Sequence, residues 1–175
     1  MPTDPSTTQS QATTPLAPDS ATITDPHQFL QMSEAQLDAI FSGSLPGPIP
    51  VGEGEGVAIV APGKEISDEI ADFVHIFGWK GKVFQHDAAD PNRGVLKNRI
   101  LPLGHKAIVA QVYKGQSWFD GKECIVLDYS QTSFLAQKIR DEIREVSPGV
   151  YLGLVYWGAP KENSKRLIHF ALQFK

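Results

Sequence analysis

Two segments near the C-terminus, VYLGLVYW (residues 150–157) and LIHFALQF (167–174), carry apolar side chains on both alternating faces. In the first, Val150, Leu152, Leu154 and Tyr156 alternate with Tyr151, Gly153, Val155 and Trp157. In the second, Ile168, Phe170, Leu172 and Phe174 alternate with Leu167, His169, Ala171 and Gln173. A strand wetted on one side alternates hydrophobic with polar residues, so both faces of these strands have to be covered. One face can pack on helices while the other lines an interior, and an eight-stranded barrel is just wide enough to hold one small ligand. Pairing of an apolar outer face with a second copy of the chain gives the same pattern, so a homodimeric interaction module stays open.

Upstream, short strands follow one another: 57–61 (VAIVA), 81–86, 94–101, 106–113 and 117–129. The last is broken by Asp120-Gly121, a dipeptide that favours a two-residue hairpin with positive φ at both positions. Three helices are expected. The first starts at Ser33, whose spacing to Gln36 fits a capping box, buries Leu37, Ile40 and Phe41, and stops at Gly43. The second follows Ser67 with Ile70, Phe73, Val74 and Phe77 on one face, and the third covers about 133–146 with Phe134, Leu135, Ile139, Ile143 and Val146 inward. The segment SLPGPIPVGEGEG is too rich in Pro and Gly for more than a short edge. Helices and strands do not alternate as in a doubly wound sheet. The fold class is therefore α+β, mainly β: an antiparallel barrel or half-barrel with about three short helices.

Residues 1–26 contain Leu16 and Ile23 as their only large aliphatic side chains, no aromatic residue, and Asp4, Asp19 and Asp25 without any Lys or Arg. Such a stretch reads as a disordered Ser/Thr/Pro-rich tail, leaving 27–175 as a single domain. The net charge of −4 argues against a nucleic-acid partner, and one cysteine precludes an internal disulfide. No apolar run approaches a membrane span and no signal peptide is recognisable, which points to the cytoplasm.

Motifs with catalytic meaning are sparse. Gly52 to Gly56 lacks the Gly-Lys-Ser/Thr ending of a phosphate loop and carries Glu53 and Glu55, so it reads as a turn or strand entry. His75, His86, His105 and His169 show no metal-ligand spacing, and no metal or cofactor is identifiable. In the run RDEIRE, Asp141 and Arg144 are i, i+3 partners on the expected third helix, and Arg140 or Arg144 is placed to hold an anionic group at a barrel mouth. Asp128 at a strand end, His169 between apolar neighbours and Tyr151 are the candidate proton-transfer groups. Cys124 reads as a buried packing residue.

The stretch from FSGSLPGPIP through GEGEG to FGWKGKVF, with CIVLDY, REVSPGVYLG and IHFALQF further on, resembles the GXWXG-domain proteins of bacteria and the domain that follows it. Gly54 stands where that family has tryptophan. The resemblance spans most of residues 41–174 and implies a lipocalin-like, calycin-type β fold without an established activity. The expected function is binding of a small, mainly hydrophobic molecule (a lipid, pigment, metabolite or cofactor) lined by Trp79, Phe84, Trp118, Tyr129, Tyr151 and His169, with Arg140 and Arg144 nearby. The alternative is a cofactor-free isomerase, cyclase or lyase using Asp128, His169 or Tyr151.

Overall fold

The computed structural model describes residues 23–60, 62, 67, 70, 82–98, 108–132, 136–158 and 160–175. Eight strands form one closed barrel in sequence order: β1 (Gly52–Ile59), β2 (Lys82–His86), β3 (Arg93–Asn98), β4 (Ile108–Gln116), β5 (Glu123–Asp128), β6 (Ile139–Ser147), β7 (Val150–Trp157) and β8 (Lys165–Phe174). Every neighbouring pair is antiparallel, and β8 closes the ring on β1 with Gly54 opposite Phe174 and Ile59 opposite His169. Closure gives every strand a partner on each side, so the sheet has no free edge strand.

Period-two alternation divides the side chains into two cores. Phe84, Leu96, Val112, Ile125, Leu127, Ile143, Val155, Phe170 and Leu172 face the interior. Val126, Leu152, Leu154, Tyr156 and Ala171 face outward, where Phe29 of the 3-10 helix Pro26–Gln31 and Leu37 and Phe41 of helix α1 (Glu34–Gly43) cover them. The two-faced apolarity of β7 and β8 is thus answered within the chain, by an interior on one side and the N-terminal helices on the other.

Helix α1 begins as the sequence predicts. Ser33 Oγ accepts from Gln36 N at 3.3 Å, and Gln36 Oε1 accepts from Ser33 N at 2.9 Å. Packing reaches back beyond the boundary expected at residue 27: Ile23 joins the outer core, and Gln173 Nε2 donates to Thr24 O at 3.0 Å.

The largest correction concerns the expected third helix. Residues 139–147 are strand β6, preceded only by a 3-10 turn at Ala136–Lys138. Asp141 and Arg144 are therefore on opposite faces of a strand rather than partners on a helix. The GEGEG segment is also strand, the first half of β1. Glycine suits it because aromatic rings lie directly on the backbone: a Cβ on Gly54 would come within 2.6 Å of the Phe174 ring. A tryptophan at Gly54 would claim the space that Phe174 occupies. The hairpin at Asp120-Gly121 is wider than two residues, closed by Ser117 N donating to Lys122 O at 2.9 Å, with Gly121 at φ +74°. Side-chain bonds hold this longer loop, since Ser117 Oγ accepts from Phe119 N and Asp120 Oδ1 from Lys122 N. Of the expected second helix, only Ser67 and Ile70 fall among the described residues; Ile70 is buried in the interior core.

Candidate functional site

Among the described residues, Lys82 and Asp141 are the buried charged side chains of the otherwise apolar interior. Lys82 on β2 and Asp141 on β6 lie on strands opposite one another in the ring, so their contact crosses the interior. Lys82 Nζ donates to Asp141 Oδ2 at 2.9 Å and to the Tyr129 hydroxyl at 2.8 Å; the Tyr129 hydroxyl donates to the same Asp141 oxygen at 3.2 Å. The Lys82 and Asp141 side chains are 3% and 0% exposed. The ammonium also sits 5.5 Å from the Tyr129 ring centre and 5.3 Å from that of Phe170, whose aromatic faces favour a cation. Burial pushes the Asp141 carboxyl up, while Lys82 and the Tyr129 hydroxyl act in the opposite direction. Among the described residues, Asp141 Oδ1 has no hydrogen-bond partner.

Local sequence builds this cluster. On β6, Ile139, Asp141 and Ile143 share the inner face; on β2, Lys82 and Phe84 do. Tyr129 follows the last residue of β5 and continues the inner series of Ile125 and Leu127. All three polar groups lie near the end of the barrel where β2 and β6 begin and β5 finishes. At the other end Phe174 packs edge-on against Phe84 and Tyr151, with ring centres 5.4 and 5.7 Å apart. The Tyr151 hydroxyl donates to Pro48 O at 2.8 Å, and burial raises its pKa.

The residues singled out from sequence therefore separate. Phe84, Tyr129 and Tyr151 point into the barrel, and Trp79 lies outside the described residues. Trp118, Arg140, Arg144, Asp128 and His169 are on the outer side.

Neither arginine is placed at a barrel mouth to receive an anion. Arg144 is fully buried; it forms two 2.7 Å bonds to the Asp120 carboxylate, donates to Phe41 O at 3.0 Å and lies 4.4 Å from the Phe41 ring centre. Its hydrogen bonds hold the Asp120 carboxyl below its usual range. Arg140 donates to Glu142 and to Gln116 O and lies 4.6 Å from the Trp118 ring. Buried Glu142 accepts from Ser117 Oγ at 2.5 Å and from Trp118 N at 2.8 Å. The outer face of β6 is thus a clamp on the β4–β5 loop and the end of α1.

Asp128 and His169 do not form a proton-transfer pair. Asp128 accepts from the Tyr113 hydroxyl at 3.2 Å and from Ser130 N. His169, buried under α1, bonds Asp38 at 2.9 Å, and Asp38 in turn accepts from Arg166 at 2.7 Å. Burial holds His169 below its ordinary pKa despite the Asp38 contact. Strands β6 and β7 separate the two groups, and Tyr151 is inside the barrel. Cys124 is buried, its thiol pushed up to about 12, chiefly by burial, so it is an inert packing group.

Among the described residues, two depressions open on the surface. One of about 550 Å³ is lined by Ser130, Gln137, Lys138, Trp157, Gly158 and Asn163, at the barrel end that holds the polar cluster. Trp157 also packs against the interior core and so joins the two. The other, about 390 Å³, lies beside Leu45, Glu145 and Pro148. No helix among the described residues is long and apolar enough to cross a membrane.

Lys82 and Asp141 carry the site, and sequence reading missed both. The signal was present for β6: read at period two, Asp141 stands between Ile139 and Ile143 on an otherwise apolar face.

No family model matches the chain, and no curated protein matches it. Among solved structures, a protein from Thermomonospora curvata is similar over 85% of this chain and 92% of its own, with a TM-score of 0.50 and 15% identity. At that identity the likeness is one of fold: a closed, mainly β barrel shared by two distant sequences.

Proposed function

We propose that this chain binds a small, mainly apolar molecule inside its barrel, in the manner of a lipocalin-like protein. The observation that carries this reading is the Lys82–Tyr129–Asp141 cluster, a fully buried set of polar groups inside an apolar interior. Ligand sites are mostly apolar with a few placed polar groups that fix orientation. A buried ion pair is a weak source of stability, because desolvation offsets the attraction. Its position in the interior is therefore better accounted for by a ligand than by folding. The depression around Trp157 opens at the same end of the barrel. The GXWXG resemblance belongs to the same proposal, since Phe84 falls in its Gly-Trp-x-Gly-Lys-x-Phe segment and faces the interior.

The test is native mass spectrometry of the full chain after incubation with an organic extract of cells, beside the Lys82→Met/Asp141→Leu double variant. The expected result is a stoichiometric adduct on the parent protein that the double variant does not retain. Equal adducts on both proteins, or none on the parent, would contradict the reading.

A further inference from the structure

From Asp141 we infer that the ligand is a hydrogen-bond donor, an apolar alcohol, phenol or amine, and not a carboxylic acid. The inference rests on the barrel-binding reading and deepens it. Asp141 is fully buried, and its Oδ2 already accepts from both Lys82 Nζ and the Tyr129 hydroxyl. Its Oδ1, equally buried, accepts nothing among the described residues. An ionised carboxylate offers about four lone-pair sites and only accepts. Leaving one of its oxygens unbonded in an apolar interior is costly, and a donor from a bound molecule removes that cost.

The neighbours sharpen the choice. Lys82 Nζ is already paired with the Asp141 carboxylate and bonded to the Tyr129 hydroxyl. A second carboxylate brought in by a ligand would face Asp141 at close range, and two like charges in a poorly screened interior repel strongly. A hydroxyl or N–H meets no such penalty. A site built to bond a donor also rejects an analogue lacking one, because its own polar group is then left unpaired. The walls beside the cluster, Phe170 and the Tyr129 ring, suit an aromatic or otherwise flat apolar body.

Three probes of one shape separate the possibilities: 2-naphthol, which donates; 2-methoxynaphthalene, which keeps the oxygen without its proton; and 2-naphthoate, which is an anion. Binding to the full chain is measured by isothermal titration calorimetry at pH 7. The expected order is 2-naphthol about tenfold or more tighter than either of the others, the usual weight of one hydrogen bond to a charged acceptor. In Asp141→Asn the advantage over 2-methoxynaphthalene shrinks severalfold, and in Tyr129→Phe, which leaves Asp141 Oδ1 in place, it persists. If 2-methoxynaphthalene or 2-naphthoate binds as tightly as 2-naphthol, the donor inference is overturned while barrel binding stands. If none of the three binds the unmodified chain, the barrel-binding reading falls and the inference with it. Should Asp141→Asn fail to fold, the order of the three probes on the unmodified protein decides the matter alone.

Discussion

Lys82 and Asp141 sit 2.9 Å apart in a part of the molecule that water does not reach. Removing one member of a buried pair leaves the other uncompensated, which typically costs about 3–5 kcal/mol, whereas replacing both by apolar residues of similar volume is often neutral or stabilising. Lys82→Met and Asp141→Leu alone should each destabilise the fold by that amount. The double variant should return to within about 1 kcal/mol of the parent. Urea unfolding of the four proteins checks this, and a double variant at least as unstable as the worse single would show that the pair holds the barrel together. Recovered stability with lost binding is the signature of residues kept for a ligand. Arg144 gives the contrast: its partners are a loop carboxylate and three backbone carbonyls, and the bonds tie elements to one another.

Strand β6 shows why part of the architecture was legible in the sequence and part was not. Ile139, Ile143 and Val146 fall at i, i+4 and i+7, which is a helical stripe. The strand reading needs an apolar residue at 141, where Asp141 stands instead. The residue that disguised the strand is the one that serves the interior. Outer-face Glu142 and Arg144 added to the disguise, because their burial depends on the β4–β5 loop and α1, partners remote in sequence. By contrast the capping box at Ser33 and the β7–β8 strands were readable, since their signals are local or uninterrupted. Phe84, Tyr129 and Tyr151, expected as cavity-lining residues from the apolar late strands and the family resemblance, lie on the inner face. Trp118, Arg140, Arg144, Asp128 and His169 were not assignable to a face without knowing what α1 covers.

Helix α1 is docked on β8 through Asp38, which bonds both Arg166 and His169, with Glu34 also on Arg166. Folded His169 resists protonation below its ordinary value of 6.5, so the unfolded chain binds more protons as pH falls through that region. The contribution of His169 is therefore present above pH 6.5 and is lost as pH drops toward and through its lowered folded value. Thermal unfolding of the parent should show a Tm that declines from pH 7 to pH 5 more steeply than that of His169→Gln. Parallel profiles would mean that the Asp38 contact carries the protonated ring as readily as the neutral one.

At the scale of the whole molecule, a closed meander leaves only two surfaces to cover, and the chain covers the outer one with its own N-terminal helices. The apolar outer residues that suggested self-association are those beneath Phe29, Leu37 and Phe41. What distinguishes the inner surface is a polar cluster at one end and an aromatic floor at the other. The central claim is that a small molecule lies between them. Isotope-filtered NOE spectroscopy on methyl-labelled protein with 2-naphthol tests it most directly, because inner and outer methyl groups alternate along the same strands. The account predicts contacts from the ligand to Leu127, Ile139 and Ile143, which face the interior. Contacts confined to Val126, Leu152 and Leu154, which face α1 and the outer core, would contradict it.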